Sequence, residues 1–227
     1  MHGFTMLRYI VWRLLFEICN IRRLFGHGQG RVKYLAFGAN LSEAIMNERR
    51  IRPFAMKPFT LRGHGLRFDH PGPWVGCAYA SAEPAVGESV HGFLYTLSAR
   101  DAARMDFYEA VPVINRYRRT WIEQDGEQLY FYQTNRSTPD LNPTPEYLGY
   151  IVNGLSSHPG ADEDYRRAMA ATETCEPGHW VSSYLWKQPE NRSAWLRYLV
   201  DFYQRIVLII FLKVIYRYSL TAFLIRY

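Results

Sequence analysis

Cysteine is scarce in this chain. Cys19, Cys77 and Cys175 are the only three in 227 residues, far apart and odd in number. That pattern argues against a disulfide-stapled scaffold and predicts a reducing, cytoplasmic compartment. No Cys-x-x-Cys pair occurs, and His64, His70, His91, His158 and His179 lack ligand spacing, so no metal site is expected. The Gly-x-Ser-x-Gly elbow and the Walker loop are missing too, which removes the common serine-hydrolase and nucleoside-triphosphate readings. A bilayer span needs about 20 apolar residues. The C-terminal segment offers an uncharged apolar run of only seven, residues 206–212. There is no internal repeat and no low-complexity run.

What is present fits one globular domain with extensions. Apolar residues make up 48% and charged residues 21%, which excludes wholesale disorder. The net charge of +6 is unevenly spread. Residues 1–33 carry six Lys/Arg against Glu17, and residues 192–227 carry six against Asp201. The stretch between, 34–191, holds 15 basic and 19 acidic side chains. A mildly acidic core therefore has two basic ends, both rich in aliphatic and aromatic residues. Basic residues set among Leu, Ile and Phe, with no RNP, zinc-finger or helix-turn-helix signature, argue against nucleic acid as a partner.

The domain is expected to span residues 32–190, with a basic amphipathic extension at 1–31 and a basic, hydrophobic helix at 191–227. Val32-Lys-Tyr-Leu-Ala-Phe37 reads as a short buried strand, ended by Gly38-Ala-Asn40; residues 41–51 then read as a helix. Four short strand-like runs follow at 59–62, 65–69, 76–80 and 90–95. Ser98 is placed to cap a helix over 98–108. Runs at 117–123 and 128–133 flank Asp125-Gly126, a strong hairpin signal. Helices are expected over 146–153 and 162–172. Strands early and helices late give an α+β class, with a strongly curved mixed sheet or small barrel.

Four pieces of this sequence, in order, resemble the γ-glutamylcyclotransferase family. Tyr34-Leu-Ala-Phe-Gly-Ala-Asn-Leu41 is similar to its opening strand-turn motif, Tyr-x-Ala-Tyr-Gly-Ser-Asn-Leu/Met. Gly92-Phe-Leu-Tyr95 followed by Met105-Asp-Phe-Tyr-Glu-Ala-Val111 is similar to its Gly-x-x-Tyr/Trp strand and Leu-Asp-x-x-Glu-Gly-Val segment. Tyr130-Phe-Tyr132 resembles its tyrosine-bearing strand. Pro145-Glu-Tyr147, leading into Tyr150-Ile-Val-Asn-Gly-Leu155, resembles its Ser-Pro-x-Tyr helix. The resemblance covers roughly residues 32–172 and leaves both basic ends outside.

The resemblance implies intramolecular aminolysis of a small γ-glutamyl substrate, with release of 5-oxoproline, and it calls for no cofactor. Both reacting groups belong to one molecule, so the protein has only to fold the substrate and move protons. Glu109 matches the family's catalytic glutamate, and partial desolvation there is expected to raise its pKa. The turn Phe37, Gly38, Ala39, Asn40 and Leu41 is expected to present main-chain N–H groups to the γ-glutamyl part. Tyr147, and either Tyr130 or Tyr132, match substrate-contacting tyrosines; the latter two project to the same face of a strand and stay undecided. Phe37 stands where the family has Tyr, and Ala39 where it has Ser, so two hydroxyls are lost. A non-catalytic ligand-binding or membrane-docking module is the alternative. A homodimer stays open.

The ends add a separate expectation. In residues 193–227, charges at 197, 201, 205, 213 and 217 form a drifting polar stripe opposite aliphatic and aromatic residues. Such a helix suits the headgroup layer of an anionic membrane, and it equally suits packing on the core. The N-terminal segment also has features of an organelle transit peptide, being Arg-rich and acid-poor.

Overall fold

The structure, a computed structural model, describes residues 30–72, 76–109, 111, 117–135 and 137–176. The expectations for both basic ends fall outside these residues. Five strands form one mixed sheet: β1 (Arg31–Ala36), β2 (Ala55–Pro71), β3 (Ala78–Ser98), β4 (Tyr117–Gln124) and β5 (Glu127–Thr134). Their order is β2-β3-β1-β5-β4, with β1 parallel to β5 and every other pair antiparallel. Four helices flank it: α1 (Glu43–Glu48), α2 (Ala99–Tyr108), α3 (Pro145–Ser157) and α4 (Glu163–Ala170). The α+β class and the curved mixed sheet agree with the reading above.

The sheet is curled and not closed. At one end the Gln124 side chain joins the two edge strands. Gln124 Nε2 donates to the Thr60 carbonyl at 2.8 Å, and Gln124 Oε1 accepts from the Arg62 N–H at 2.9 Å. One carboxamide, with a donor and an acceptor, does there what a strand ladder does elsewhere. The interior is filled by β1, β3 and β5, whose Leu35, Phe93, Leu97, Leu129, Tyr130 and Phe131 are almost fully buried.

Two elements differ from the expected pattern. The four short runs fuse into two long strands, β2 and β3, with register shifts between Arg62 and His64 and between Phe68 and His70. Gly63, at φ +71°, sits in the first shift, where left-handed backbone favours glycine. Pro58 is accommodated because β2 lies at the sheet edge. Residues 41–51 do not form one helix. A 3₁₀ turn (Ala39–Leu41) precedes the short α1.

Close packing fixes the turn after β1. Gly92 lies so near the Ala36 carbonyl that any Cβ would collide with it. A Cβ on Gly154 would approach Leu41 Cβ to 2.5 Å, so α3 seats against the 3₁₀ turn through its glycine. The Ser98 hydroxyl accepts from the Asp101 N–H at 2.9 Å and caps α2 as expected.

The cysteine expectation is corrected. Cys77 and Cys175 form a disulfide across 98 residues, with Cα atoms 6.1 Å apart. The topology brings them together: Cys77 forms a bridge beside Asn142, and the Cys175 N–H donates to Pro143 O at 2.9 Å. A reducing compartment, argued from unpaired thiols, loses that basis. No helix among the described residues is long and apolar enough to cross a membrane.

Candidate functional site

Asn40 is the centre of the site. β1 delivers it at the 3₁₀ turn, buried at 6% exposure. Its Nδ2 donates to the Tyr34 hydroxyl at 2.7 Å and to Glu109 Oε1 at 3.1 Å. Its Oδ1 accepts from Arg49 Nη1 at 2.7 Å, and its main-chain carbonyl accepts from the Tyr95 hydroxyl at 3.3 Å. Only a carboxamide supplies donor and acceptor in this arrangement.

Glu109 follows the last turn of α2, and its N–H donates back to Met105 O at 2.9 Å. Its side chain is half-buried and meets Arg49 Nη1 at 2.6 Å. Both contacts from the described residues, Asn40 and Arg49, land on Oε1. Oε2 accepts nothing from those residues. One oxygen is thus anchored by two donors and the other by neither. Burial, with the Glu109 charge adding to it, pushes the Tyr34 hydroxyl well above the usual phenol range and keeps it protonated.

Within α2, Asp106 is completely buried and anchors the helix that leads into Glu109. Its Oδ1 accepts from Arg119 Nε at 2.7 Å and from the Tyr132 hydroxyl at 2.8 Å. Arg119 also donates to the Ala102 carbonyl at 3.0 Å and lies over the Tyr130 ring. Breaking such a buried pair from one side typically costs about 3–5 kcal/mol.

The structure brings Glu109, Asn40, Gly38, Ala39 and Tyr147 into one neighbourhood. Pro145 in the first turn of α3, and Thr144 accepting from the Tyr147 N–H at 3.2 Å, hold Tyr147 at the helix start. Its hydroxyl accepts from the Ala80 N–H at 3.1 Å, with the Ala39 backbone also bonded to it. Burial raises this phenol too, and the Glu109 charge contributes. Gly38 has φ −109°, so no left-handed backbone demands glycine there. The demand is spatial, because a Cβ would lie 3.1 Å from the Tyr147 hydroxyl oxygen.

The remaining sequence-selected side chains are buried in the packing around this neighbourhood, with the Tyr130 and Tyr132 rings 5.3 and 5.4 Å from that of Tyr34. The Phe37 and Leu41 side chains are core residues flanking the turn, Phe37 against the Phe131 ring and Leu41 against α3. Within the turn, the Leu41 and Ser42 N–H groups are already bonded to Gly38 O and Ala39 O, both at 3.0 Å. Tyr130 and Tyr132 are both buried in the sheet interior, their rings 5.6 Å apart. Tyr132 is committed to Asp106. The Tyr130 hydroxyl has no well-formed hydrogen bond among the described residues.

Sequence reasoning missed Arg49, Tyr95, Asp106 and Arg119. Arg49 is disguised as an ordinary cation at a helix C-terminus, where the helix dipole favours one anyway. Asp106 and Arg119 lie thirteen residues apart in different elements, and no local spacing pairs them.

Solved structures of similar fold include an uncharacterized human protein, 20% identical with a TM-score of 0.56, the match covering 68% of this chain and 95% of that one. A structure described as a gamma-glutamyl cyclotransferase is 18% identical at a TM-score of 0.55, covering 68% and 95%. YkqA from Bacillus subtilis is 16% identical at 0.53, covering 69% of this chain and 60% of its own. At these identities they speak for the fold alone. No curated protein matches the chain. Residues 34–149, just over half of the chain, match the family described as gamma-glutamyl cyclotransferase, AIG2-like, and the chain belongs to that family.

Proposed function

We propose that the protein is a γ-glutamylcyclotransferase acting on a γ-glutamyl amine or γ-glutamyl amino acid. The substrate's α-amine attacks its own γ-carbonyl carbon, and a new C–N bond closes the five-membered ring. The proton lost by the attacking nitrogen is returned to the departing nitrogen as the original amide bond breaks. The products are 5-oxoproline and a free amine, and no water is consumed. Glu109 carries the proton between the two nitrogens. Gly38 and Asn40 hold the carboxylate or developing oxyanion through main-chain N–H groups, while the Ala39 N–H is turned to the Tyr147 hydroxyl. Tyr147 braces that turn. The observation that carries this reading is the attachment of Glu109 to the turn: Asn40 and Arg49 grip one carboxylate oxygen and leave the second available.

The experiment incubates the full chain with a panel of γ-glutamyl amines and amino acids and follows 5-oxoproline. Glu109→Gln is expected to lose release by about 100-fold or more while keeping the folded spectrum. Equal rates for the two proteins would overturn the assignment.

A second reading draws on a specific departure, the absence of hydroxyls at Phe37 and Ala39. It makes the protein a ligand-binding module that retains the fold without turnover. The doubly substituted Phe37→Tyr, Ala39→Ser protein separates the readings: activity that appears only after restoration favours the module. The basic, apolar ends add a proposed place at an anionic membrane surface, on composition alone. Unchanged vesicle binding after removal of residues 1–31 and 193–227 would refute that part.

A further inference from the structure

We propose that Asn47, Arg50, Arg52 and Arg104 form a binding site for a phosphoryl dianion, separate from the Glu109 site and independent of the reaction assigned to it. These four residues line an open cavity of about 720 Å³ between the end of α1 and the flank of α2.

The backbone at Arg50 gives the first reason. Arg50 N–H donates to Asn47 O and Ile51 N–H to Met46 O, both at 3.0 Å, which closes the end of α1 as a Schellman motif. Arg50 occupies its left-handed position, at φ +54°. Glycine is the usual residue there, because a Cβ makes left-handed backbone unfavourable. A cation near a helix C-terminus has an ordinary explanation in the helix dipole. Arg49 already fills that role, and it does so in right-handed backbone. An arginine in the strained position therefore calls for a reason beyond helix capping.

Charge gives the second. Arg104 Nη1 donates to the Arg50 carbonyl at 2.9 Å and to Asp101 Oδ1 at 2.9 Å. It thereby ties the cavity's two walls together and has its charge offset by Asp101. Its Nε is buried with no hydrogen-bond partner among the described residues. The Arg50 and Arg52 side chains are exposed, and neither forms an ion pair among those residues. Arg100 lies one helical turn before Arg104 and adds to the positive field. Two guanidinium charges are left uncompensated around one cavity, with the Asn47 carboxamide beside them. That set matches an oxyanion of charge −2 with several acceptor oxygens, which guanidinium forks bind through paired hydrogen bonds. A monocarboxylate would leave one charge unmatched.

The phosphoryl group has two sources, a soluble phosphate compound or a phosphorylated lipid headgroup, and the test separates them. Calorimetric titration of the full chain in chloride buffer uses inorganic phosphate and then pyrophosphate. Wild type is expected to give saturable binding. Arg50→Gly and Arg52→Gln are each expected to weaken it about tenfold or more. Arg50→Gly puts glycine in the left-handed position, so its melting temperature is expected to rise, by roughly 2–4 °C. A more stable protein that no longer binds phosphate distinguishes a ligand site from a structural cluster. A parallel arm compares vesicles containing a phosphatidylinositol monophosphate with vesicles containing phosphatidylserine at equal charge. Preference for the first, lost in both variants, assigns the headgroup source. Phosphate binding without that preference assigns the soluble one. Non-saturable phosphate binding by wild type, or equal affinity in wild type and both variants, overturns the site.

Discussion

Arg49 and Glu109 meet end-on, through a single nitrogen and a single oxygen 2.6 Å apart, and that same nitrogen also reaches Asn40 Oδ1 at 2.7 Å. A side-by-side fork would have occupied both carboxylate oxygens. The end-on contact makes Arg49 a positioning residue that shares its donor with the turn and spares Glu109 Oε2.

Replacing Arg49 by Met is therefore expected to lower kcat by about 10–100-fold with little change in KM, since orientation of the base is lost and substrate contacts are kept. Arg49→Lys should recover part of kcat, because a single ammonium can satisfy one oxygen without the planar geometry. Steady-state kinetics on the best substrate of the panel checks this. A rise in KM at constant kcat would make Arg49 a substrate contact instead.

A double-mutant cycle addresses the close approach of Gly38 and Tyr147. Gly38→Ala puts a methyl group 3.1 Å from the Tyr147 hydroxyl oxygen. Its expected cost is about 1–3 kcal/mol by overpacking. Tyr147→Phe alone leaves the Ala80 N–H without that acceptor, at about 1–2 kcal/mol. The double variant should be more stable than the sum of the two costs predicts, because the clash disappears with the hydroxyl. Urea unfolding of the four proteins gives the coupling. Strict additivity would mean that the two residues do not press on each other.

The pH dependence of stability should carry a signature of Asp69. This carboxyl is 7% exposed, and its Oδ1 has no hydrogen-bond partner among the described residues. Burial raises its pKa, although the Ser137 hydroxyl, donating to Oδ2 at 2.6 Å, opposes the rise. The folded state thus holds the proton to higher pH than the unfolded chain, whose carboxyl titrates near about 3.9. In the window above that value the native protein binds more protons, so this contribution to stability falls as pH rises through the folded pKa. Asp69→Asn should flatten that slope, improving on wild type more at pH 7 than below pH 4. Denaturant melts across that range measure it, and an unchanged slope would rule it out.

Local signals in the sequence carried well where the physics was local. Asp125 and Gly126 both adopt positive φ, +55° and +70°, and turn β4 into β5 as the Asp-Gly pair anticipates. Ser98 caps its helix through its own hydroxyl. Glycines and prolines in β2 and β3 misled, because they punctuate the sequence like turns while the folded sheet absorbs them as bulges and edge positions. The candidate site was legible at Glu109, Asn40 and Tyr147, which carry recognisable motifs. Arg49 and Asp106 were not, since their roles come from contacts with chain segments 60 and 13 residues away. Neighbours in space leave no trace in spacing along the chain.

The Cys77–Cys175 bond also divides the site topologically. The chain between the two cysteines is a closed covalent ring, and Glu109, Tyr147, Asp106 and Arg119 all ride on it. Tyr34, Asn40 and Arg49 belong to the free arm that enters the ring at Cys77. The site is therefore a seam between a cyclic body and a linear one, stitched by Asn40 and by the seating of Gly154 on Leu41. A single backbone cut inside the ring would leave every site residue on one covalently connected molecule, whereas a cut between Arg49 and Cys77 would separate Glu109 from Asn40 and Arg49, the residues that grip it.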